Sequence, residues 1–274
     1  MQDFDQPSSI IEVVIPLQLP VAERASHPPV IPCELPDGIQ FVYVDDRGRQ
    51  RAIALEDADE VDFGRARPFR KPPAYRRQRN FPGWWWSVTT RSHVVYESWL
   101  ERHHLIEADR DPRVTGIAGQ PFALTWPSGK RMVQHVPDIF CRTFDGGGVV
   151  TDCRAVEKAD EFRYRCSVTA AACQVVGWDF RLVGEPDPVW AANLRWLAGY
   201  RHPRFAAPDL EEQLVSSLTQ PRPLAEVAGQ IGDPIRVLPV VLNLLWLGRL
   251  SGDLSRPLGS GTILIAGADP LGEK

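Results

Sequence analysis

The chain has 274 residues, 43% apolar and 24% charged, an ordinary globular composition with enough length to bury a sizeable core. No apolar run is long enough to span a bilayer, and the first residues lack the basic and apolar regions of a secretion signal, so a cytoplasmic protein without a membrane partner is expected. Five cysteines with no CxxC pair suit a reducing compartment and speak against a zinc site, while a net charge of −4 speaks against a protein that coats nucleic acid over its whole surface.

Residues 1–36 are rich in proline and read as an arm or edge strand. Ile39–Val44 and Arg51–Leu55 flank Asp45-Asp46-Arg47-Gly48, the pattern of a hairpin, and the acidic stretch 56–60 closes a small β unit over residues 1–64. A basic, aromatic segment follows. From Arg65 to Tyr96 there is no Asp or Glu, whereas Arg65, Arg67, Arg70, Lys71, Arg76, Arg77, Arg79 and Arg91 supply eight positive charges. Against a net −4, that leaves −12 for the rest of the chain, so the segment forms a local strip suited to phosphate contact. Its prolines forbid a long helix, and an extended path is expected. Trp84-Trp85-Trp86 ends it, either to stack bases or a partner, or with two rings in the core and one partly exposed.

The central region reads as helix His93–Asp109, strands Val114–Ile117 and Pro121–Trp126, and a long strand Met132–Arg142. A tight turn at Asp145-Gly146-Gly147-Gly148 returns into strand Val149–Arg154. Apolar or small residues at Ala159, Phe162, Cys166, Ala170, Cys173 and Val176 give Glu157–Val176 a helical stripe. Trp178, Phe180 and Leu182 alternate as a strand, and Pro188–Tyr200 is a further helix. Strands and helices in this order predict an α/β fold with a mixed-sheet core. Beyond residue 205 three helices (Asp209–Leu218, Leu224–Ile231, Ile235–Leu247) and two strands (Arg249–Leu254, Thr262–Ile265) match a winged helix. Arg236 is the only basic residue of the third helix, so protein contact or support competes with base readout as its role.

The acids of the central region carry the chemistry. Glu97, expected on the helix, with Asp138 and Asp152 on two strands joined by a glycine turn, forms an oxygen-donor set for Mg²⁺ or Mn²⁺. Such an ion activates water and neutralises charge on phosphoryl oxygens during phosphodiester hydrolysis. Asp152 and Arg154 are two apart and share a strand face, with Cys153 opposite. His135 is a candidate base, or a residue that orients a ligand.

Taken together and in order, several motifs over about 65–205 resemble the TnsA-like endonuclease subunits of heteromeric transposases. They are Arg77–Gly83, Tyr96-Glu97-Ser98-Trp99-Leu100-Glu101-Arg102, Gly119-Gln120-Pro121, His135-Val136-Pro137-Asp138, Val149–Arg154 and Asn193–Pro203. The resemblance implies a restriction-endonuclease-like core of the PD-(D/E)xK type over 65–205, an N-terminal β extension, and a C-terminal winged-helix-like domain over 206–274. It implies Glu97, Asp138 and Asp152 as metal ligands, and Arg154 where many such nucleases carry lysine. Arginine does not lose its proton, so Arg154 could hold phosphate but not act as a base. Lys158 is the alternative amine, and Glu157 is a further carboxylate or a solvated helix-start acid. The partners implied are DNA, a DDE-type transposase and an AAA+ ATPase regulator. A DNA-binding adaptor with weakened catalysis, and a stand-alone restriction-type nuclease, are the competing readings.

Overall fold

The structure, a computed structural model, describes residues 29–70, 81–155 and 159–267. In chain order its strands are β1 (Gln40–Val44), β2 (Gln50–Ile53), β3 (Gly83–Ser87), β4 (Ser92–Tyr96), β5 (Val114–Gly119), β6 (Phe122–Ser128), β7 (Arg131–His135), β8 (Ile139–Thr143), β9 (Gly148–Cys153) and β10 (Asp179–Val183). Helix α1 (Trp99–Arg110) precedes β5, α2 (Ala159–Val176) precedes β10, and α3 (Pro188–Leu197) follows it. The C-terminal part holds α4 (Pro208–Ser217), β11 (Arg222–Pro223), α5 (Leu224–Ile231), α6 (Pro234–Leu247), β12 (Leu250–Gly252) and β13 (Ile263–Ala266). This is the mixed α/β architecture expected. Among the described residues no helix is long and apolar enough to cross a membrane.

The central sheet has the order β10-β9-β8-β5, with β10 parallel to β9 and the other pairs antiparallel. Alternation along each strand sends side chains to two cores. Ile139, Cys141, Val149 and Cys153 join Leu105 and Ile106 of α1 and Leu194 of α3 on one face. Phe140 and Val150 join Val168 and Ala172 of α2, and Phe41, Phe122 and Trp126 of a second sheet, on the other. That second sheet runs β2-β1-β6-β7, so hydrogen bonding joins residues 40–53 to the 122–135 hairpin. At the β8–β9 turn, a Cβ on Gly148 would stand 2.7 Å from the Trp178 ring and 2.9 Å from that of Phe140, so only glycine lets the indole close there.

Two elements differ from expectation. Residues 93–96 are not helical: Ser92–Tyr96 pairs with Gly83–Ser87 as a β-hairpin, and the helix begins at Trp99 behind Ser98. The cause is local. Val94, Val95 and Tyr96 favour a pleated strand, and the Ser98 side chain accepts the Glu101 N–H at 3.1 Å as an N-cap. The expected long strand 132–142 is also two, because Pro137 cannot donate to a ladder; β7 stays in one sheet and β8 enters the other.

The Trp run lies on β3, and just one of its rings is core. Trp85 is buried, Trp86 half-buried and stacked on His202, and Trp84 exposed. Asp109, near the end of α1, anchors this hairpin. Its carboxylate accepts Trp85 Nε1 (2.9 Å), Ser87 Oγ (2.6 Å), Val88 N (3.2 Å) and Thr89 N (3.0 Å). In the C-terminal part, α4, α5 and α6 enclose Leu214, Val227, Val241 and Leu245, and a three-stranded sheet of order β11-β13-β12 lies beside them. All five cysteines are free thiols, four of them buried.

Candidate functional site

Four buried or nearly buried carboxylates gather where α1 begins and where β8 and β9 meet the loops. Asp138 occupies the loop after β7 rather than a strand. Its Oδ2 accepts the Cys153 N–H at 2.7 Å and Arg154 Nη1 at 2.7 Å, so the β9 backbone and the arginine clamp one oxygen together. Burial raises the Asp138 acid to about 6; the Arg154 charge opposes this and the Asp152 charge adds to it. The backbone carbonyl of Asp138 accepts the N–H of Gln120, at 2.9 Å, and the Gln120 carbonyl accepts the N–H of Phe69, at 2.7 Å. Gln120 takes the left-handed region (φ 51°) to make both bonds. This strained residue therefore pins the Asp138 main chain to the segment that carries Arg70.

Asp152 is fully buried on β9. Its Oδ2 lies 2.7 Å from His135 Nε2 and 3.9 Å from Cys166 Sγ, and Oδ1 has no hydrogen-bond partner. Burial works to raise its acid, but the His135 charge and hydrogen bond prevail and hold it below the usual carboxylate range. His135 is thus tied to Asp152, the contact that a ligand-orienting residue would make. Arg154 lies on the same side as Asp152, with its guanidinium 4.6 Å from the Phe162 ring of α2. Cys153 points into the opposite core, as the two-residue period predicts.

Glu97 is the correction that matters most. It sits in the turn before α1, not on the helix, where Oε2 accepts Arg70 Nη2 at 3.0 Å and Oε1 is buried without a partner. The carboxylate that the first turn of the helix carries inward, beside Asp138, is Glu101. It is buried, it accepts the Glu97 N–H at 2.7 Å, and it stands 2.9 Å from Ser98 Oγ. Burial first, and the charge of Asp138 next, push its acid up to about 8. In the sequence Glu101 does not stand out as a site residue, because Ser98-x-x-Glu101 is a complete capping box, which explains a glutamate at N3 without any site. Only its burial near Asp138 distinguishes it.

Among the described residues, no three of Glu97, Glu101, Asp138 and Asp152 bring ligand oxygens within 4.8 Å of one another, so the side chains as placed do not close on one cation. What the four share is chemistry of the hard-cation kind: they offer only oxygen, burial first and neighbouring carboxylates next raise Glu101 and Asp138, and two buried carboxylate oxygens lack partners. Arg154 and His135 offset part of that charge but not all of it. Asp152 faces α2 while α1 with Glu101 packs on the other face of the sheet, so Asp138, at the strand end, is the member common to both.

The basic strip is described only in part. Arg65 pairs weakly with Asp62 at 3.7 Å, and Arg67 bridges the backbone of Val44. Arg70 reaches Glu97, which places one strip residue at the acid cluster. Lys71, Arg76, Arg77 and Arg79, as well as Glu157 and Lys158, lie outside the described residues. No protein-family profile and no curated protein matches this chain.

Proposed function

We propose that this protein is a metal-dependent DNA endonuclease, the strand-cutting subunit of a heteromeric transposase, with a restriction-endonuclease-like core and a winged-helix-like C-terminal domain. The observation that carries the reading is the set of buried carboxylates centred on Asp138, with Arg154 bound to it. Bound Mg²⁺ or Mn²⁺ would be held at Asp138, with Glu101, Glu97 or Asp152 moving inward to join it, and would supply an activated water and charge neutralisation. The chain's own residues do the rest. His135 keeps Asp152 ionised, Gln120 fixes the Asp138 backbone, and Arg154 can swing from Asp138 onto the scissile phosphate to stabilise its charge. Arg70 and its neighbours give backbone contacts that position DNA without choosing a sequence, so the transposase selects the site.

One observation favours the second reading, a DNA-binding adaptor with weakened catalysis that docks on the transposase or its ATPase. Arg154 occupies the Asp138 oxygen, and Asp152 is sealed from solvent. The test is incubation of the protein, alone and with its transposase, on transposon-end DNA with Mg²⁺ or Mn²⁺. Nicking that needs metal and disappears in Asp138→Ala is expected. Intact DNA binding without nicking in the full assembly would leave the adaptor.

A further inference from the structure

On the inward side of α1, away from the acid cluster, His103, His104 and Glu107 come together, and one ligand atom from each lies within 4.8 Å of the others. His103 and Glu107 are buried, and His104 is half-buried. His103 Nε2 stands 3.3 Å from Glu107 Oε1, and His104 Nδ1 stands 2.9 Å from Glu107 Oε2. Two atoms bound to one tetrahedral zinc-type ion at about 2.0–2.1 Å stand roughly 3.3 Å apart, so ligand atoms within 4.8 Å of one another need only small side-chain rotations to meet at a common centre.

The outer contacts decide which atoms face inward. His104 Nε2 lies 3.0 Å from the carbonyl oxygen of Gly184, which can only accept, so that nitrogen carries the proton. The other ring nitrogen of His104, Nδ1, faces a carboxylate oxygen at 2.9 Å, a pair that holds either a proton or a metal ion between its atoms. Glu107 Oε1 accepts Trp190 Nε1 at 2.7 Å, and His103 has no hydrogen-bond partner on either ring nitrogen. An imidazole donating its far N–H to a carbonyl, and a carboxylate held by an indole, is how metal ligands are oriented from behind. His104, unlike His103 and Glu107, also borders a cavity of about 290 Å³ lined by Asp111, Arg113, Thr151 and Arg181.

We infer that His103, His104 and Glu107 form a binding site for a divalent transition ion of the zinc class, separate from the oxygen-donor cluster at Asp138. Two imidazoles and one carboxylate suit zinc-type ions, whereas the all-oxygen cluster suits magnesium. Through Gly184 and Trp190 the ion ties α1 to the loop after β10 and to α3.

The full-length protein, stripped with EDTA and titrated with Co²⁺, tests this. One equivalent with visible ligand-field bands, displaced by Zn²⁺, is expected. The bands are expected to vanish in His103→Ala and His104→Ala and to persist in Asp138→Ala, whether or not the protein cuts DNA. Absence of bands in the wild type, their survival in both histidine variants, or their loss in Asp138→Ala overturns the inference. Should the histidine variants not fold, X-ray absorption of the wild-type Zn²⁺ form decides: two imidazole nitrogens are expected, and a shell of oxygens alone refutes the site.

Discussion

Replacing Glu101 with glutamine tests the electrostatics of the acid cluster without altering its shape. Folding buries this carboxyl beside Asp138 and raises its acid from 4.5 to about 8. Below pH 4.5 it is protonated in both folded and unfolded chains and contributes nothing to pH dependence. Between the two values the unfolded chain ionises while the folded one resists, so stability falls as pH rises and levels off above about 8. At about 1.4 kcal/mol per pKa unit the whole shift corresponds to roughly 5 kcal/mol, a ceiling because water and rearrangement relieve part of it. Glutamine can still accept the Glu97 N–H through its carbonyl but never ionises. In EDTA, urea unfolding of Glu101→Gln at pH 8.5 is therefore expected to show about 2–4 kcal/mol more stability than wild type, with the two proteins converging near pH 4.5. Mg²⁺ is expected to restore the wild type at high pH. Parallel stability curves for the two proteins from pH 4.5 to 8.5 would refute the reasoning, because Glu101 would then ionise freely in the fold.

Three further outcomes are expected. Asp109→Ala strands four donors of the β3 hairpin, two of them side chains, and should cost about 3 kcal/mol or more in chemical denaturation, with the Trp85 fluorescence shifted to that of an exposed indole. Gly148→Ala drives a methyl group into the Trp178 ring and should cost about 1–3 kcal/mol, read as a lowered Tm, whereas alanine at Gly177, which has open space but φ 78°, should cost less, about 1 kcal/mol. Arg154→Ala leaves Asp138 without its charged partner and should reduce nicking by about 10²-fold or more, while Arg154→Lys, which restores a single ammonium, should retain it; equal activity in all three proteins would remove Arg154 from the proposed chemistry.

Much of the fold was legible because its signals are local. The Asp45–Gly48 hairpin, the Asp145–Gly148 turn, the α2 stripe and the C-terminal helices all rest on neighbours within a few residues, and the structure places them within a residue or two of expectation. Where two local signals compete, the sequence leaves the element ambiguous. Val94-Val95-Tyr96 was absorbed into a helix although Ser98 already marked the true start, and the partner strand that settles the matter, Trp84–Trp86, is itself an ambiguous apolar run. The site was legible as residue types in order. Its pairings were not: Glu97 looked like the helical acid, and Glu101 looked like a cap.

By itself, the sequence determined the alternation of strands and helices, the two-residue period that separates Asp152 and Arg154 from Cys153, and the local turns. These follow from the geometry of a polypeptide repeat. The tertiary structure alone decided which carboxylates are buried, that His135 holds Asp152 and Arg154 holds Asp138, and that Gly184 and Trp190 stand behind His104 and Glu107. Burial and charge coupling depend on groups brought together from distant parts of the chain. An acid's spacing gives its face, but only its neighbours in space give its charge.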